Sequence, residues 1–344
     1  MPTSKAENQP ESALAEAKAL HRSIGAVDLH ADPLLWSHWL GYDLLRVHRP
    51  PFPRARFGGH FDLPRSMEGS MRLQVFGLVA LPGLDWNLAE ACRRQMRLFR
   101  GMEAKSGGRL RAILKRSDLD ALSPETLGGV FCMEGAHPLG GRLSRLEGFF
   151  AEGLRALGLV HFSANACGAP SKGLGANESQ GLKAFGREVV ARCEDLGILV
   201  DLAHLNKRGF MEACAMARRP MMVSHTGVRA LHDIWRNIDD EQLRALAKGG
   251  GVAGVIFCPY YLGGDGIEAV VHHLEHTVRV AGEDAAALGS DWDGFIRPTT
   301  GLEEASKLPA LTQALRARGM REGLIRKILR ENAWRVLRES LPSD

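Results

Sequence analysis

AVDLHAD, at residues 26–32, is the stretch of sequence that decides the fold. It begins as an apolar run typical of a buried strand and ends on the metal-ligand types His30 and Asp32. Four later apolar runs end on residues of the same kind, namely Glu134, His204, His225 and Asp291. Because parallel strands of a barrel end on one face, this repetition predicts a metal site at the mouth of a barrel.

Short apolar runs alternate with amphipathic segments along the whole chain. Eight runs are candidate strands, at 26–30, 73–80, 128–133, 156–161, 197–203, 220–224, 251–257 and 285–290. Their nearly continuous apolar character is typical of parallel strands buried on both faces. The pattern predicts an α/β protein with a (β/α)8 TIM barrel. A doubly wound open sheet is the alternative, but no GxGxxG motif follows the first strand.

The domain organisation follows from the length of 344 residues, of which 45% are hydrophobic. We predict an N-terminal lead-in and helix over residues 1–23 and a single metal-dependent (β/α)8 domain over 24–344, with extra helices at the termini. Residues 33–72 interrupt the pattern as an insertion after the first strand, rich in aromatic residues and proline. This insertion is either a lid or pocket wall over the barrel mouth, or a packed structural segment.

Composition limits the classes of binding partner and the cellular location expected for the protein. Lys and Arg number 44 against 40 Asp and Glu, so the net charge of +4 is weak and predicts no nucleic-acid partner. The chain carries no secretory h-region and no stretch of about 18 apolar residues, which predicts a cytoplasmic protein without membrane association. The six cysteines form no CxxC pair and are expected as free thiols. A homodimer would be ordinary for such a barrel.

The ligand types predict a binuclear centre. His30 and Asp32 are two residues apart, and Glu134 has two carboxylate oxygens that could serve two ions. We therefore assign one ion to His30, Asp32 and Glu134, and a second to Glu134, His204 and His225. Nitrogen and oxygen donors without thiolates suit zinc or a similar divalent ion. Two such ions about 3.5–4 Å apart could activate a bridging hydroxide and polarise a carbonyl.

Asp291 lies in the last run, within GSDWDG at residues 289–294. A carboxylate at this strand end could take a proton from the attacking water and pass it to a leaving amine. The alternative is a residue that only forms the turn, for which Asp293 is the better candidate. We therefore predict a catalytic role for Asp291.

Together these motifs resemble the membrane (renal) dipeptidase family of binuclear zinc metallopeptidases, in a microbial soluble branch with an amidohydrolase-type barrel. The resemblance rests on DLHAD at 28–32, MEGAH at 133–137, LAH at 202–204, VSH at 223–225 and GSDWDG at 289–294. It implies the same five metal ligands. The segment HFSANACG at 161–168 departs from the Cys-Asn-Thr-like run of many members, beside the expected pocket.

The resemblance also implies a reaction and two further site residues. His161 matches the histidine that contacts the substrate carbonyl and stabilises the oxyanion, and Arg236 matches the arginine that holds the dipeptide's terminal carboxylate. The implied activity is zinc-dependent hydrolysis of a small dipeptide, with a D-residue at its C-terminal position left open. Another amidohydrolase activity, such as a deacylase, lactonase or deaminase, and a catalytically inactive metal-binding protein are the alternatives.

Overall fold

The computed structural model describes residues 9–48 and 57–344. Within these ranges, one sheet contains nine parallel strands. They are β1 (Ala26–Ala31), β2 (Met71–Val79), β3 (Leu110–Ala112), β4 (Leu127–Glu134), β5 (Leu154–Gly158), β6 (Leu199–Asp201), β7 (Met222–Thr226), β8 (Val252–Val255) and β9 (Ala286–Leu288).

Eight of these strands close into a barrel, in the order β1, β2, β4, β5, β6, β7, β8 and β9. Closure requires that β2 skip its sequence neighbour and pair with β4, from Leu73 opposite Gly128 to Val79 opposite Glu134. The short β3 pairs only with the first residues of β4. The predicted TIM barrel is therefore confirmed, and each predicted strand overlaps one barrel strand. Only β3 was not predicted.

Helices connect the strands. They are α1 (Gln9–Ile24), α2 (Pro33–Leu40), α3 (Leu63–Glu68), α4 (Leu88–Lys105), α5 (Arg116–Asp120), α6 (Leu143–Glu152), α7 (Ala184–Leu196), α8 (Lys207–Met216), α9 (Asp240–Lys248), α10 (Pro259–Leu262), α11 (Ile267–Ala281), α12 (Leu308–Ala317), α13 (Glu322–Arg326) and α14 (Asn332–Ser340). A π-helical stretch, Lys327–Glu331, joins α13 to α14. In the described ranges, no helix has the length and apolar character needed to cross a membrane.

The strands position polar residues above an apolar core. On β4, Val130, Cys132 and Glu134 are two residues apart and share one face, and all three are buried. Val130 and Cys132 belong to a buried cluster that also contains Ala333 and Val336 of α14. Glu134 is thus the last side chain of an apolar column, at the carboxyl end of its strand, where barrel active sites lie.

The N-terminal helix α1 packs on the barrel's outer layer. The buried ring of His21 hydrogen bonds to Thr312 Oγ1 at 2.7 Å and to the carbonyl oxygen of Gly69 at 2.8 Å. Burial lowers the pKa of His21 to about 4, which keeps the ring neutral for these two bonds. The division of the chain at residue 24 stays a prediction, and residues 1–8 lie outside the described ranges.

The described parts of the 33–72 insertion are anchored to the loop after β9. Trp36 Nε1 donates to the carbonyl oxygen of Asp293 at 2.6 Å. The buried Asp293 carboxylate accepts the backbone N–H groups of His60 at 2.8 Å and Phe61 at 3.2 Å. The insertion is therefore packed onto the mouth of the barrel at Trp36 and again at His60 and Phe61. Its predicted aromatic and proline positions at Pro50, Pro51, Phe52 and Pro53 lie outside the described residues.

Candidate active site

The first two predicted ligands come together, although only one lies on a strand. β1 ends at Ala31, and Asp32 is the residue before α2, where Pro33 favours the first helical turn. Even so, His30 Nε2 lies 3.4 Å from Asp32 Oδ1. The expectation that Asp32 lies on the strand is wrong, but the convergence of the two side chains is as predicted.

Glu134 is the centre of the constellation. Its Oε1 atom lies 3.0 Å from Nε2 of His204, 3.6 Å from Nε2 of His30 and 3.7 Å from Nε2 of His225. These imidazoles come from three different strand ends, as the sequence pattern predicts. One carboxylate oxygen therefore touches both predicted ligand sets.

His204 and His225 reach the centre in different ways. His225 lies within β7, whereas His204 lies three residues beyond the end of β6 and has a φ of 66°. A positive φ is uncommon for a histidine and is typical of a side chain held in place by function. The two Nε2 atoms are 3.2 Å apart.

A buried relay orients His225. Ser224 Oγ donates to Asp201 Oδ2 at 2.6 Å and therefore accepts from Nδ1 of His225 at 2.8 Å. The proton of the neutral ring is thereby placed on Nδ1, so Nε2 presents a lone pair toward Glu134. Such outer partners commonly fix the tautomer of a metal-binding histidine. Sequence analysis did not identify Asp201 or Ser224, although Asp201 is a charged residue inside an apolar run.

His161 approaches the same carboxylate from another side. It lies three residues beyond β5, and its Nε2 atom is 3.6 Å from Glu134 Oε1, as close as His225 is. Distance alone therefore does not separate the two histidines as ligands. The oriented lone pair favours His225, while the His161 side chain is 13% exposed against 2% for His225. Burial lowers the pKa of His161 to about 3, so its ring is neutral.

A glycine on β2 makes room for Asp32. A Cβ atom on Gly77 would lie 1.9 Å from Asp32 Oδ1 and 3.2 Å from Cε1 of His30. Glycine inside a strand often marks such a close approach. Sequence analysis did not identify Gly77, because a glycine in an apolar run gives no sign of what approaches it.

Gly77→Ala is therefore expected to displace Asp32 and weaken metal binding by about 10–100-fold, the range seen when a ligand's support is lost. Metal retained after dialysis against a graded chelator series measures the effect. Gly101→Ala in α4 is the matched control, because nothing lies within 4 Å of its added methyl group. It should keep the metal and stabilise the helix by about 0.5–1 kcal/mol. Full metal retention by Gly77→Ala would contradict this packing account.

Asp291 faces the same centre from the loop after β9. Its Oδ1 atom is 3.8 Å from His30 Nε2, and its φ is 62°. The preceding Ser290 is held by Asp28, whose carboxylate accepts hydrogen bonds from the backbone N–H and the hydroxyl group of Ser290, each at 2.7 Å. Burial and the nearby Asp32 raise the pKa of Asp291 to about 8, although His30 opposes this shift. Asp293, the predicted turn residue, lies in a turn with a φ of 66° and also anchors the insertion.

Arg236 is buried beside the histidines, which sequence reasoning without the family resemblance would not have found. Its Nη2 atom donates to the carbonyl oxygen of His225 at 2.7 Å and lies 3.5 Å from Nε2 of His204. Arg236 and His204 also line a cavity of about 380 Å³, together with Leu205, Met211, Trp235 and Ile238. A guanidinium at such a place can bind a carboxylate.

The donor set fits divalent cations. His30 Nε2 and Asp32 Oδ1 are buried and have no hydrogen-bond partner among the described residues, which is costly unless something else binds them. Burial and the Asp32 charge raise the pKa of Glu134 well above its usual range. Burial would lower the pKa of His30, yet Asp32 and Glu134 raise it to about 10. Cations would offset this concentration of negative charge.

Barrel and site together define a metal-dependent hydrolase of the (β/α)8 type. The family model for membrane dipeptidase, peptidase family M19, matches residues 14–341. The chain therefore belongs to the membrane dipeptidase family and is a metallopeptidase that hydrolyses dipeptides. This family assignment supports peptide-bond hydrolysis over the deacylase, lactonase and deaminase alternatives.

Individual proteins similar to this chain include two solved metallo peptidases. A Klebsiella pneumoniae protein described as "uncharacterized protein in pqqA 5′ region" is 32% identical in an alignment of 256 residues that covers 71% of this chain and 94% of that protein. A metallo peptidase from Rhodobacter sphaeroides, liganded with a phosphinate mimic of the dipeptide L-Ala-D-Ala, has a TM-score of 0.80 at 26% identity, covering 92% of this chain and 99% of its own. The metallo peptidase dipeptidase AC, of family M19, has a TM-score of 0.79 at 28% identity, with the same coverage.

Proposed function

We propose that the centre holds two zinc ions, one at His30, Asp32 and Glu134 and the other at Glu134, His204 and His225. The observation that carries this proposal is the position of Glu134 Oε1, within 3.7 Å of the Nε2 atoms of all three histidines. Nitrogen and oxygen donors favour zinc over metals that prefer thiolates or oxygen alone. Bound there, the ions would supply Lewis acidity toward a carbonyl group and make water acidic.

Three surrounding side chains transfer the proton, stabilise the developing oxyanion and bind the substrate carboxylate. In its ionised form, Asp291 accepts one proton from the attacking water and returns it to the leaving amine nitrogen, so that it ends the cycle as it began. The neutral His161 donates a hydrogen bond to the oxygen of the scissile carbonyl as negative charge develops there. Arg236 binds the carboxylate of the C-terminal residue, and its buried position excludes water from that contact.

The substrates we propose are dipeptides, including those with a D-residue at the C-terminal position. The phosphinate mimic of L-Ala-D-Ala bound to the Rhodobacter sphaeroides relative supports this scope. Arg236 supports short substrates, because its buried guanidinium lies 3.5 Å from Nε2 of His204 and can therefore bind a carboxylate close to the centre. A homodimer stays a prediction, as do the absence of nucleic-acid and membrane partners.

We also propose a cytoplasmic location. All six cysteines are unpaired, and five of them are buried. Burial raises the pKa of Cys92 and Cys193 above the usual range, which makes these thiols unreactive. Free buried thiols are typical of proteins in a reducing compartment.

Carboxylate anchoring is tested with Arg236→Ala. We expect the KM for L-Ala-L-Ala to rise about 10–100-fold, the value of a hydrogen bond to a charged group, while hydrolysis of its C-terminal amide changes little. Arg229→Ala is the matched control, because Arg229 lines the same cavity and its side chain is 39% exposed. Arg236→Lys keeps the charge and should recover part of the loss. Equal losses on the free and amidated dipeptides would contradict anchoring.

A further inference from the structure

An exposed aromatic ring stands at the edge of the proposed centre. The Phe162 ring lies 4.4 Å from the ring of His161 and meets the ring of His204 edge-on at 4.9 Å. It is nevertheless 44% exposed. A large apolar side chain open to solvent beside two site histidines offers surface to a ligand, since apolar surface is stabilised by leaving water.

The backbone holds this ring in place. Leu174 N donates to the carbonyl oxygen of Phe162 at 2.9 Å, and Ala164 N donates to the carbonyl oxygen of Leu174 at 2.8 Å. Gly173, at a φ of 118°, permits this approach, because a Cβ atom there would lie 2.0 Å from the Phe162 oxygen. The position of Phe162 is thus fixed without burial of its ring, as in a preformed binding surface.

Trp235 packs against Phe162 in an edge contact. Its ring is 6.1 Å from the Phe162 ring and is supported edge-on by Tyr261 at 6.0 Å. Trp235 also lines the cavity that contains His204 and Arg236, together with the apolar side chains of Leu205 and Met211. Trp235 therefore borders the cavity near the guanidinium, and the Phe162 ring packs edge-on beside it.

We propose that Phe162 and Trp235 form an apolar subsite for the side chain of the dipeptide's C-terminal residue. This inference rests on the proposed function, because Arg236 must hold the carboxylate of that same residue. Trp235 precedes Arg236 in the chain, so a substrate residue whose carboxylate is bound by Arg236 lies beside Trp235. The Phe162 ring is also within reach of that substrate residue. The subsite selects aromatic and large aliphatic side chains over small ones, within the range of about 10–200-fold open to an apolar pocket.

The test compares L-Ala-Phe with L-Ala-Ala, each with an L- and with a D-residue at the second position. The metal-loaded wild-type protein should prefer the phenylalanine dipeptide by about tenfold or more in kcat/KM. Phe162→Ala and Trp235→Ala should each lower kcat/KM for that dipeptide by about tenfold, through KM, and change the alanine dipeptide by less than about twofold.

Two further variants separate recognition from structural damage. Phe162→Leu keeps an apolar cover on His204, so it should retain the metal and recover part of the preference. Leu174→Ala removes an 81% exposed side chain from the segment that hydrogen bonds to the backbone of Phe162, and it should leave kcat/KM for both dipeptides unchanged. Equal losses on both dipeptides, or no preference in the wild-type protein, would overturn the subsite alone. Failure of the wild-type protein to hydrolyse any of these dipeptides would overturn the proposed function as well.

Discussion

Asp291→Asn is expected to lower kcat by about 10²–10⁴-fold, the contribution of a positioned acid or base, and to leave the metal content unchanged. Asparagine keeps the shape of the side chain but cannot accept a proton. The Asp291 carboxylate faces the centre at 3.8 Å from His30, and its backbone is fixed by the bonds from Ser290 to Asp28. The substitution should therefore remove the proton carrier without moving the loop. Turnover and bound metal are measured on the same preparation.

The Asp291 result has two informative comparisons. Asp233→Asn makes the same change of charge at a side chain that is 85% exposed in the loop after β7, and it should leave turnover unchanged. Loss of metal together with turnover in Asp291→Asn would show that Asp291 is a ligand, a role open to it because it groups closely with His30 and His225. Normal turnover would show that another group carries the proton.

Glu134→Gln is expected to have the largest effect, because this side chain serves both ligand sets. Its Oε1 atom is within 3.7 Å of four imidazole nitrogens, and a neutral amide supplies neither the charge nor a second anionic oxygen. Loss of several kcal/mol of charge stabilisation by the metal corresponds to a fall of about 10³-fold or more in kcat/KM. Kinetics at saturating zinc measure this fall.

Glu194→Gln is the matched control for the Glu134 substitution. Glu194 is also buried, but it bonds to Arg218, at 2.8 Å from Nε, and takes no part in the centre. Its replacement should cost some stability and leave the specific activity of the folded protein unchanged. If both variants lost activity equally, the Glu134 effect would reflect folding and not metal binding.

The barrel was predictable because its strands are buried on both faces and therefore consist of uninterrupted apolar residues. A polar residue at the end of such a run is conspicuous, which is why His30, Glu134 and His225 could be identified from sequence. The strand β3 could not be predicted, since it has only three residues and its middle one, Arg111, is exposed. The place of Asp32 beyond the strand depends on how Pro33 begins α2.

Residues that act through other residues were harder to predict. Asp201 and Ser224 orient His225, but they come from two strands whose pairing is set by the closed barrel. Gly77 matters only because β1 and β2 are neighbours and place it against Asp32. Such contacts are tertiary, so no local pattern of sequence predicts them. The family resemblance was needed for Arg236 for the same reason.

We propose that one carboxylate, Glu134, joins two ligand sets into a binuclear centre. The most direct test is the metal content per chain of the zinc-loaded wild-type protein after removal of weakly bound metal, measured by elemental analysis beside Glu134→Gln. We expect about two ions per wild-type chain and fewer than about one in the variant. A wild-type content near zero, or two ions retained in Glu134→Gln, would contradict it.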